Sequence, residues 1–301
     1  MDSTTLSRRS VISIATALAL GSMLAPVATT MAQEATPGAA PSLLDGLGLP
    51  TLEVTLTSEG ITAPTDIAAG PVLLVVHNQT EGPALIEVAQ MPAGVTVEDW
   101  LALSDLEGAL PEWTAEAVVA GGVETMPNGS GAIVINPVPG EWMLIVDAEA
   151  EVTMPSATLS VSGDAATADI VSAVDVEMGE YVFNFPDTMV AGPQIWHITN
   201  VHTLPHHVMA LPVDRPYTAE EVTDGLMAGF SGTPVTEGFS FESSVVGPPT
   251  FSPVITAGQE IWIETNLQPG HYVALCFISD PGSDIPHIMQ GMFDTFEVTG
   301  G

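Results

Sequence analysis

The imidazole and sulfur side chains of this chain are concentrated toward its C-terminal end. Six of the seven histidines lie beyond residue 190, and the single cysteine, Cys276, lies there with Met289 and Met292. Such side chains are typical ligands of transition metals. A lone cysteine cannot form an internal disulfide, and metal ligation would account for it. The pattern indicates a metal site in the C-terminal part of the chain.

The chain contains an internal repeat that explains how this site could be built. Leu52–Asn78 aligns without a gap to Val174–Asn200 at an offset of 122 residues, and Pro139-Gly140 later matches Pro269-Gly270 at an offset of 130. Each copy is longer than about 100 residues, which is the size of a domain and not of a solenoid unit. The sequence therefore predicts two related domains.

The second copy carries potential ligands where the first copy has apolar residues. His206 aligns with Ala84, and Cys276 aligns with Val146. Alternation along a strand predicts that His206 points inward. The adjacent His207 is predicted to point outward, because the matching face of the first copy carries Glu87 and so should meet water. A hydrogen bond from His207 could still brace the ligand loops.

Short apolar runs between turn residues predict the fold class. Val72–Val76 and Trp142–Val146 each follow a proline or Pro-Gly and stop at polar residues, and the chain has 28 glycines and 25 prolines. This pattern is typical of an all-β sandwich. A short helix is expected after Thr96 and after Thr218, because each is followed three residues later by a carboxylate, as in a capping box.

The N-terminal segment is predicted to direct export. Residues 1–32 read as a signal peptide, in which Arg8-Arg9 precedes an apolar stretch too short to be a comfortable membrane span. The arginine pair resembles the twin-arginine signal, and an ordinary secretory signal is the alternative. Residues 33–50 are predicted to be a flexible linker. The expected location is periplasmic, cell-surface or extracellular.

The charge of the chain narrows the range of partners. The net charge is −34, and Arg215 is the only Lys or Arg beyond residue 9. Nucleic acid binding depends on Lys and Arg at the phosphates, so nucleic acid is excluded as an expected partner. No segment of the mature chain is long and apolar enough to suggest a membrane span.

The motifs around the predicted site resemble those of the cupredoxins of the plastocyanin type. The resemblance rests on three stretches of the second copy, namely Asn200–His206, Pro269–Cys276 and Pro286–Met292. It implies an all-β fold of two tandem Greek-key β-sandwich domains, 51–163 without metal ligands and 174–301 with them, joined by a linker at 164–173. It also implies copper as the cofactor. The implied equatorial ligands are His206, Cys276 and His287, and the implied weak axial ligand is Met292.

One departure from the family pattern concerns the loop between two of these ligands. Ten residues, Phe277 through Pro286, separate Cys276 from His287, whereas plastocyanin-like proteins have only a few. The loop is rich in turn residues, so it could bulge outward with its ends at the metal, or it could displace the histidine. Met289 is the alternative to Met292 as the thioether.

The functional expectation is single-electron transfer by an exported, non-enzymatic copper protein with an unknown redox partner. A copper carrier is a close variant. A metal-free interaction protein is the alternative, because the first copy shows that the scaffold can exist without ligands. A zinc site using His202 and His206 has helical spacing, but the intervening Pro205 argues against it. No additional paired-histidine motifs for a trinuclear copper cluster occur in the sequence, which disfavours a multicopper oxidase.

Overall fold

The computed structural model describes residues 42–106, 108–186, 188–235 and 237–301. The predicted signal peptide and the first part of the predicted linker, residues 33–41, lie outside this range. Within it, the strands of the first half are β1 (Thr51–Thr57), β2 (Gly60–Thr62), β3 (Asp66–Ala68), β4 (Val72–Asn78), β5 (Ala84–Gln90), β6 (Val118–Thr125), β7 (Ser130–Ile135), β8 (Gly140–Ala148) and β9 (Ser156–Ser162). None of the described helices has the length and apolarity needed to span a membrane.

The second half repeats this series of strands. They are β10 (Val174–Gly179), β11 (Val182–Asn184), β12 (Met189–Val190), β13 (Gly192–Asn200), β14 (Met209–Val213), β15 (Thr250–Phe251), β16 (Glu260–Leu267), β17 (Gly270–Leu275) and β18 (Phe293–Thr299). The helices are α1 (Val97–Leu101), α2 (Ala219–Phe230) and α3 (Phe241–Ser244), with 3-10 turns at Asp45–Leu47, Ala102–Asp105, Glu112–Ala115 and His287–Gln290. The predicted all-β class is confirmed.

The strands form one long sheet and two shorter ones. The long sheet has eight strands in the order β11-β10-β13-β16-β7-β4-β1-β2, so it runs through both halves of the chain. The five-stranded sheets are β3-β9-β8-β5-β6 from the first half and β12-β18-β17-β14-β15 from the second half. Each half thus contributes strands to two sheets, as in a β-sandwich. Most of the buried apolar side chains form one cluster, and a smaller cluster lies at the junction of the two halves. The predicted bounds 51–163 and 174–301 remain a prediction.

The two halves meet where β16 pairs with β7. The pairing is antiparallel, with Ile261 opposite Ile135 and Trp262 opposite Val134. Near this junction His197 stacks on Trp262, with ring centroids 4.4 Å apart, and its Nε2 contacts Glu260 Oε2 at 2.7 Å. His197 is therefore a hydrogen-bonded, half-buried side chain at the junction, away from the predicted ligands.

The second part of the predicted flexible linker differs from expectation. Residues 42–50 pack on the long sheet, where Leu44 is 1% exposed among side chains of both halves, including Leu73 and Trp262. Ser42 Oγ donates to Glu264 Oε2 at 2.6 Å. The flexible-linker prediction is wrong for this stretch, because a single buried leucine and a polar anchor outweigh its Gly- and Pro-rich composition.

Both expected helix starts have the predicted capping box. Thr96 Oγ1 accepts from the N–H of Asp99, and Thr218 Oγ1 accepts from the N–H of Glu221, while each carboxylate accepts from the backbone of its threonine. Two orphan donors are satisfied at each helix start in this way. The first of these helices, α1, packs on the face of β5 that carries Glu87.

Glu87 is buried, contrary to the expectation that its face meets water. It is 5% exposed, and its Oε2 accepts a 2.9 Å hydrogen bond from Trp100 Nε1 of α1. Burial raises the pKa of this carboxyl to about 7, against the opposing effect of the Trp100 hydrogen bond. The prediction was wrong because alternation along a strand assigns a face but does not tell what packs over that face.

This burial makes the stability of the protein depend on pH. The native state holds a proton on Glu87 that the unfolded chain releases above its ordinary pKa of 4.5, so the unfolding free energy falls as pH rises from 4.5 toward 7. Glu87→Gln carries no charge and should raise the unfolding free energy by about 2–3 kcal/mol at pH 8 and little at pH 5. Urea unfolding at both pH values measures this.

The matched control is Glu98→Gln, which removes one charge from an exposed position of α1, the helix that carries Trp100. It should leave the unfolding free energy almost unchanged at either pH. A Glu87→Gln effect of equal size at pH 5 and pH 8 would contradict the burial argument, because the protonated carboxyl and the amide are both neutral at pH 5.

Candidate metal centre

His206 is fixed by its backbone. It lies just before β14, where it exchanges two hydrogen bonds with Ile255, His206 N to Ile255 O at 3.1 Å and Ile255 N to His206 O at 3.0 Å. Asn200 at the end of β13 holds the preceding loop, donating from Nδ2 to Leu204 O at 2.8 Å and to Ile255 O at 2.9 Å. The imidazole is thereby directed into the core, as predicted.

The first half has the same loop without the imidazole. Asn78 Nδ2 donates to Gly82 O at 2.9 Å and to Met126 O at 3.2 Å, which reproduces the pattern of Asn200. The residue that follows in place of His206 is Ala84, 3% exposed. The backbone frame is thus shared by the two halves, and only the second half places a potential ligand on it.

Cys276 and His287 are brought together by the chain between them. Cys276 follows the last residue of β17, and its carbonyl accepts from Ile288 N at 2.8 Å, while His287 N donates to Ile278 O at 2.7 Å. Ser279 and Pro286 form a β-bridge that closes the long loop at its base. Of the two expectations for this loop, the outward bulge with both ends at the site is the one observed.

The three predicted equatorial donors converge. His206 Nδ1 lies 3.0 Å from His287 Nδ1, and Cys276 Sγ lies 3.5 Å from His287 Nδ1 and 3.9 Å from His206 Nδ1. All three residues are 0% exposed. Their donor atoms lie within 4.8 Å of one another, and this is the group of metal-binding side chains found in the described part of the chain.

These distances suit ligands of one ion. Bonds of about 2.3 Å from metal to sulfur and about 2.0 Å from metal to nitrogen place the donor atoms of one coordination sphere roughly 3 to 4 Å apart. A thiolate and two imidazoles are the donor set expected for copper or zinc, and not for magnesium or calcium. The residues present therefore fit a soft transition metal.

The donors of the metal-free site are uncharged. Burial raises the pKa of the Cys276 thiol to about 12. Burial, reinforced by neighbouring imidazoles, lowers the pKa of His206 to about 2. Burial also lowers the pKa of His287, although Asp280 opposes this shift. Near neutral pH the site holds a thiol and two neutral imidazoles, and a metal ion would have to displace the thiol proton.

Met292 is placed beside the other candidates by its backbone. Its carbonyl accepts from Cys276 N at 3.3 Å, and its N–H donates to His287 O at 2.9 Å. Met292 is 0% exposed, whereas Met289 is half-buried. Burial favours Met292 over Met289 as the thioether, and its role as axial ligand remains a prediction.

His207 is buried, although its side chain was predicted to point outward. It is 1% exposed, and its Nε2 accepts a 2.9 Å hydrogen bond from Phe277 N, the residue after the site cysteine. Phe251 of β15 packs on its ring, with centroids 5.1 Å apart. Burial lowers the pKa of His207 to about 3. The expectation that this side chain meets water was wrong because Phe251 covers it, but the predicted bracing of the ligand loop is observed.

The remaining C-terminal histidines lie outside the donor cluster. His202 is half-buried, and its Nδ1 faces His206 Nε2 at 3.3 Å, on the side of the ring away from Cys276. His271 lies near the start of β17 and is half-buried. The pair considered for zinc, His202 and His206, thus contact one another directly through their ring nitrogens.

Two residues near His287 carry no signal in the sequence. Asp280 Oδ1 lies 2.9 Å from His287 Nε2, and its Oδ2 accepts a 2.8 Å hydrogen bond from the hydroxyl of Tyr181. The Tyr181 ring packs against the imidazole of His287 edge-on, with centroids 5.2 Å apart. Burial would raise the pKa of Asp280, but hydrogen bonds from Tyr181, Gln290 and His287 outweigh it and hold the carboxyl below its usual pKa.

Comparison with known proteins yields structural likeness only. No protein-family profile matches the chain, and no curated protein is similar in sequence. Reduced auracyanin from Roseiflexus castenholzii is 16% identical over 42% of this chain and 94% of its own, with a TM-score of 0.26. Auracyanin A of Chloroflexus aurantiacus, a "blue" copper protein, is 18% identical over 42% of this chain and 98% of its own, with a TM-score of 0.25.

A multicopper oxidase is also similar, at 12% identity over 88% of this chain and 94% of its own, with a TM-score of 0.23. Scores of this size do not define the architecture of the chain, which rests on its own strands and side chains.

Proposed function

We propose that this chain is an exported copper protein that passes single electrons through one mononuclear site in its second half. The observation that carries the proposal is the convergence of Cys276 Sγ with the Nδ1 atoms of His206 and His287 in a fully buried cluster. Met292 completes the proposed ligand set as a weak axial thioether. A copper ion held by two imidazoles, a thiolate and a distant thioether supplies reversible exchange between Cu(I) and Cu(II).

The side chains support this role by being held before any ion arrives. The Ile255 pairing fixes His206, and the bridge between Ser279 and Pro286 fixes the base of the loop that ends at His287. Donors that do not need to rearrange suit an ion that changes oxidation state in place. Burial also keeps water from the ring nitrogens and the thiol.

Copper titration of the full mature chain tests the proposal. We expect one Cu(II) per chain and an intense visible thiolate-to-copper absorption that disappears on reduction and returns on oxidation. Tight binding of one Cu(I) without such a band would point to a copper carrier. Absence of stoichiometric binding would contradict both readings and leave the metal-free interaction protein. The proposed partner is a redox protein. The class of protein that we propose is a binding module and not an enzyme.

A further inference from the structure

The loop that distinguishes this site contributes a carboxylate to one of its ligands. Asp280 lies in the stretch Phe277–Pro286, and its side chain is 25% exposed. Its Oδ1 contacts His287 Nε2 at 2.9 Å, while its Oδ2 accepts from Tyr181 and, at 3.2 Å, from Gln290 Nε2. Both carboxylate oxygens are therefore engaged, and the group is held in one orientation.

The geometry of His287 determines which of its nitrogens carries the proton. Nδ1 faces Cys276 Sγ and His206 Nδ1, whereas Nε2 faces Asp280. An ionised carboxylate only accepts hydrogen bonds, so a neutral His287 must donate from Nε2. The lone pair of Nδ1 is then directed at the other donors, which is the tautomer that metal ligation needs.

The remaining contacts agree with this assignment. If His287 Nδ1 accepts, His206 Nδ1 must donate to it across 3.0 Å, and His206 Nε2 must accept from His202 Nδ1 across 3.3 Å. The contacts between the imidazole nitrogens are thus satisfied together, starting from the carboxylate of Asp280. The proton on His206 Nδ1 would have to leave that nitrogen before it could bind a metal ion.

The first half of the chain holds the loop that carries Asp280. Gly282 N donates to Leu110 O at 2.7 Å, and Leu110 N donates to Ser283 O at 3.2 Å. Leu110 also forms a parallel bridge with Pro281 and is 3% exposed. The residues directly after Asp280 are therefore tied to a segment of the half that has no ligands.

We propose that Asp280 is a positioning residue that sets the tautomer and orientation of His287, and that the Leu110 segment of the first half holds Asp280 in place. This inference rests on the proposed metal function, since metal ligation is what the orientation serves. It gives the first half a specific role, namely support of the ligand loop of its neighbour.

Asp280→Ala is the test, with Asp284→Ala as its matched control. Asp284 lies in the same loop, is exposed, and makes none of these hydrogen bonds. Two quantities are measured, namely the tautomer of His287 in the metal-free protein, by ¹⁵N NMR of the imidazoles, and the Kd for Cu(II), by competition titration. The wild type and Asp284→Ala should show the Nε2–H tautomer. Asp280→Ala should lose its uniform population and bind copper about 10–100-fold more weakly.

The two readouts separate failure of this inference from failure of the proposed function. A wild type that binds no copper sinks the function, yet the tautomer comparison still decides the role of Asp280. Retention of the Nε2–H tautomer and of wild-type affinity in Asp280→Ala overturns the inference. Asp280→Val removes both acceptor oxygens and keeps more of the side-chain volume, so it serves if the alanine variant fails to fold, and a change in the same direction is expected.

The role of the first half is tested at Leu110. Leu110→Pro removes the N–H that donates to Ser283 O at 3.2 Å, because proline has no backbone donor. Leu110→Ala is the control, because it removes the same buried side chain but keeps the N–H. Leu110→Pro should weaken copper binding more than Leu110→Ala does. Equal affinities in the two variants overturn the part assigned to Leu110.

Discussion

Cys276→Ser is expected to abolish the visible thiolate-to-copper absorption and to weaken copper binding by more than about 100-fold, since loss of even a partner outside the ligand set costs about 10–100-fold. The reason is the position of Sγ, 3.5 Å and 3.9 Å from the two Nδ1 atoms. A serine hydroxyl in the same place is a poor ligand for a soft ion. Visible spectra and competition titration of the metal-loaded variant measure both effects.

His271→Ala is the matched control for this substitution. It removes an imidazole from β17, the strand that ends just before Cys276, but His271 is outside the donor cluster. Its spectrum and affinity should equal those of the wild type. Cys276→Ala provides a second thiol-free variant in case the buried hydroxyl of serine impairs folding. Survival of the absorption band in both thiol-free variants would exclude Cys276 as a ligand.

The affinity for copper is expected to rise about tenfold for each unit of pH, or about 10²-fold between pH 7 and pH 9. The pKa of Cys276 is raised to about 12, and the pKa of His206 is lowered to about 2. Over this pH range the thiol therefore keeps its proton and the imidazole has none. Binding as thiolate releases one proton per ion, and mass action then favours the complex as pH rises.

Competition titrations at several pH values measure the slope, and calorimetry in buffers of different ionisation enthalpy counts the released proton. The Cys276→Ser variant is the control and should show almost no slope over the same range. A flat profile in the wild type would mean that the metal-free site already holds a thiolate. A slope near two protons per ion would mean that an imidazole is protonated as well, against the direction of both histidine shifts.

The sequence carries enough information to locate the converging donor side chains, because the repeat supplies an internal reference. Comparing His206 with Ala84, and Cys276 with Val146, separates the residues that the shared fold requires from the residues that a metal site requires. The scaffold is shared down to a hydrogen bond, since Val146 N donates to Pro155 O at 2.8 Å as Cys276 N donates to the carbonyl of Met292. The alignment of the two copies lies within one chain, so it can be read from the sequence alone.

The errors share one physical cause, which is that a local pattern does not tell what covers a side chain. Alternation along the strands predicted that Glu87 meets water and that His207 points outward. In the structure, α1 covers the face of Glu87, and β15 with α3 covers the face of His207. Leu44 was missed for the same reason, because composition averages over a segment while burial depends on one residue. Asp280 could not be found either, since its partner Tyr181 lies 99 residues away in the chain.

The continuity of the long sheet has a consequence for the integrity of each half. Were residues 174–301 isolated, the unpaired margin of β16 at Ile261 and Trp262 would be exposed to water where β7 now covers it. Exposed strand margins of this kind recruit other chains, so either half alone is prone to self-association. The pairing of β7 with β16 thus covers a strand edge that each half would expose if it were separated from the other.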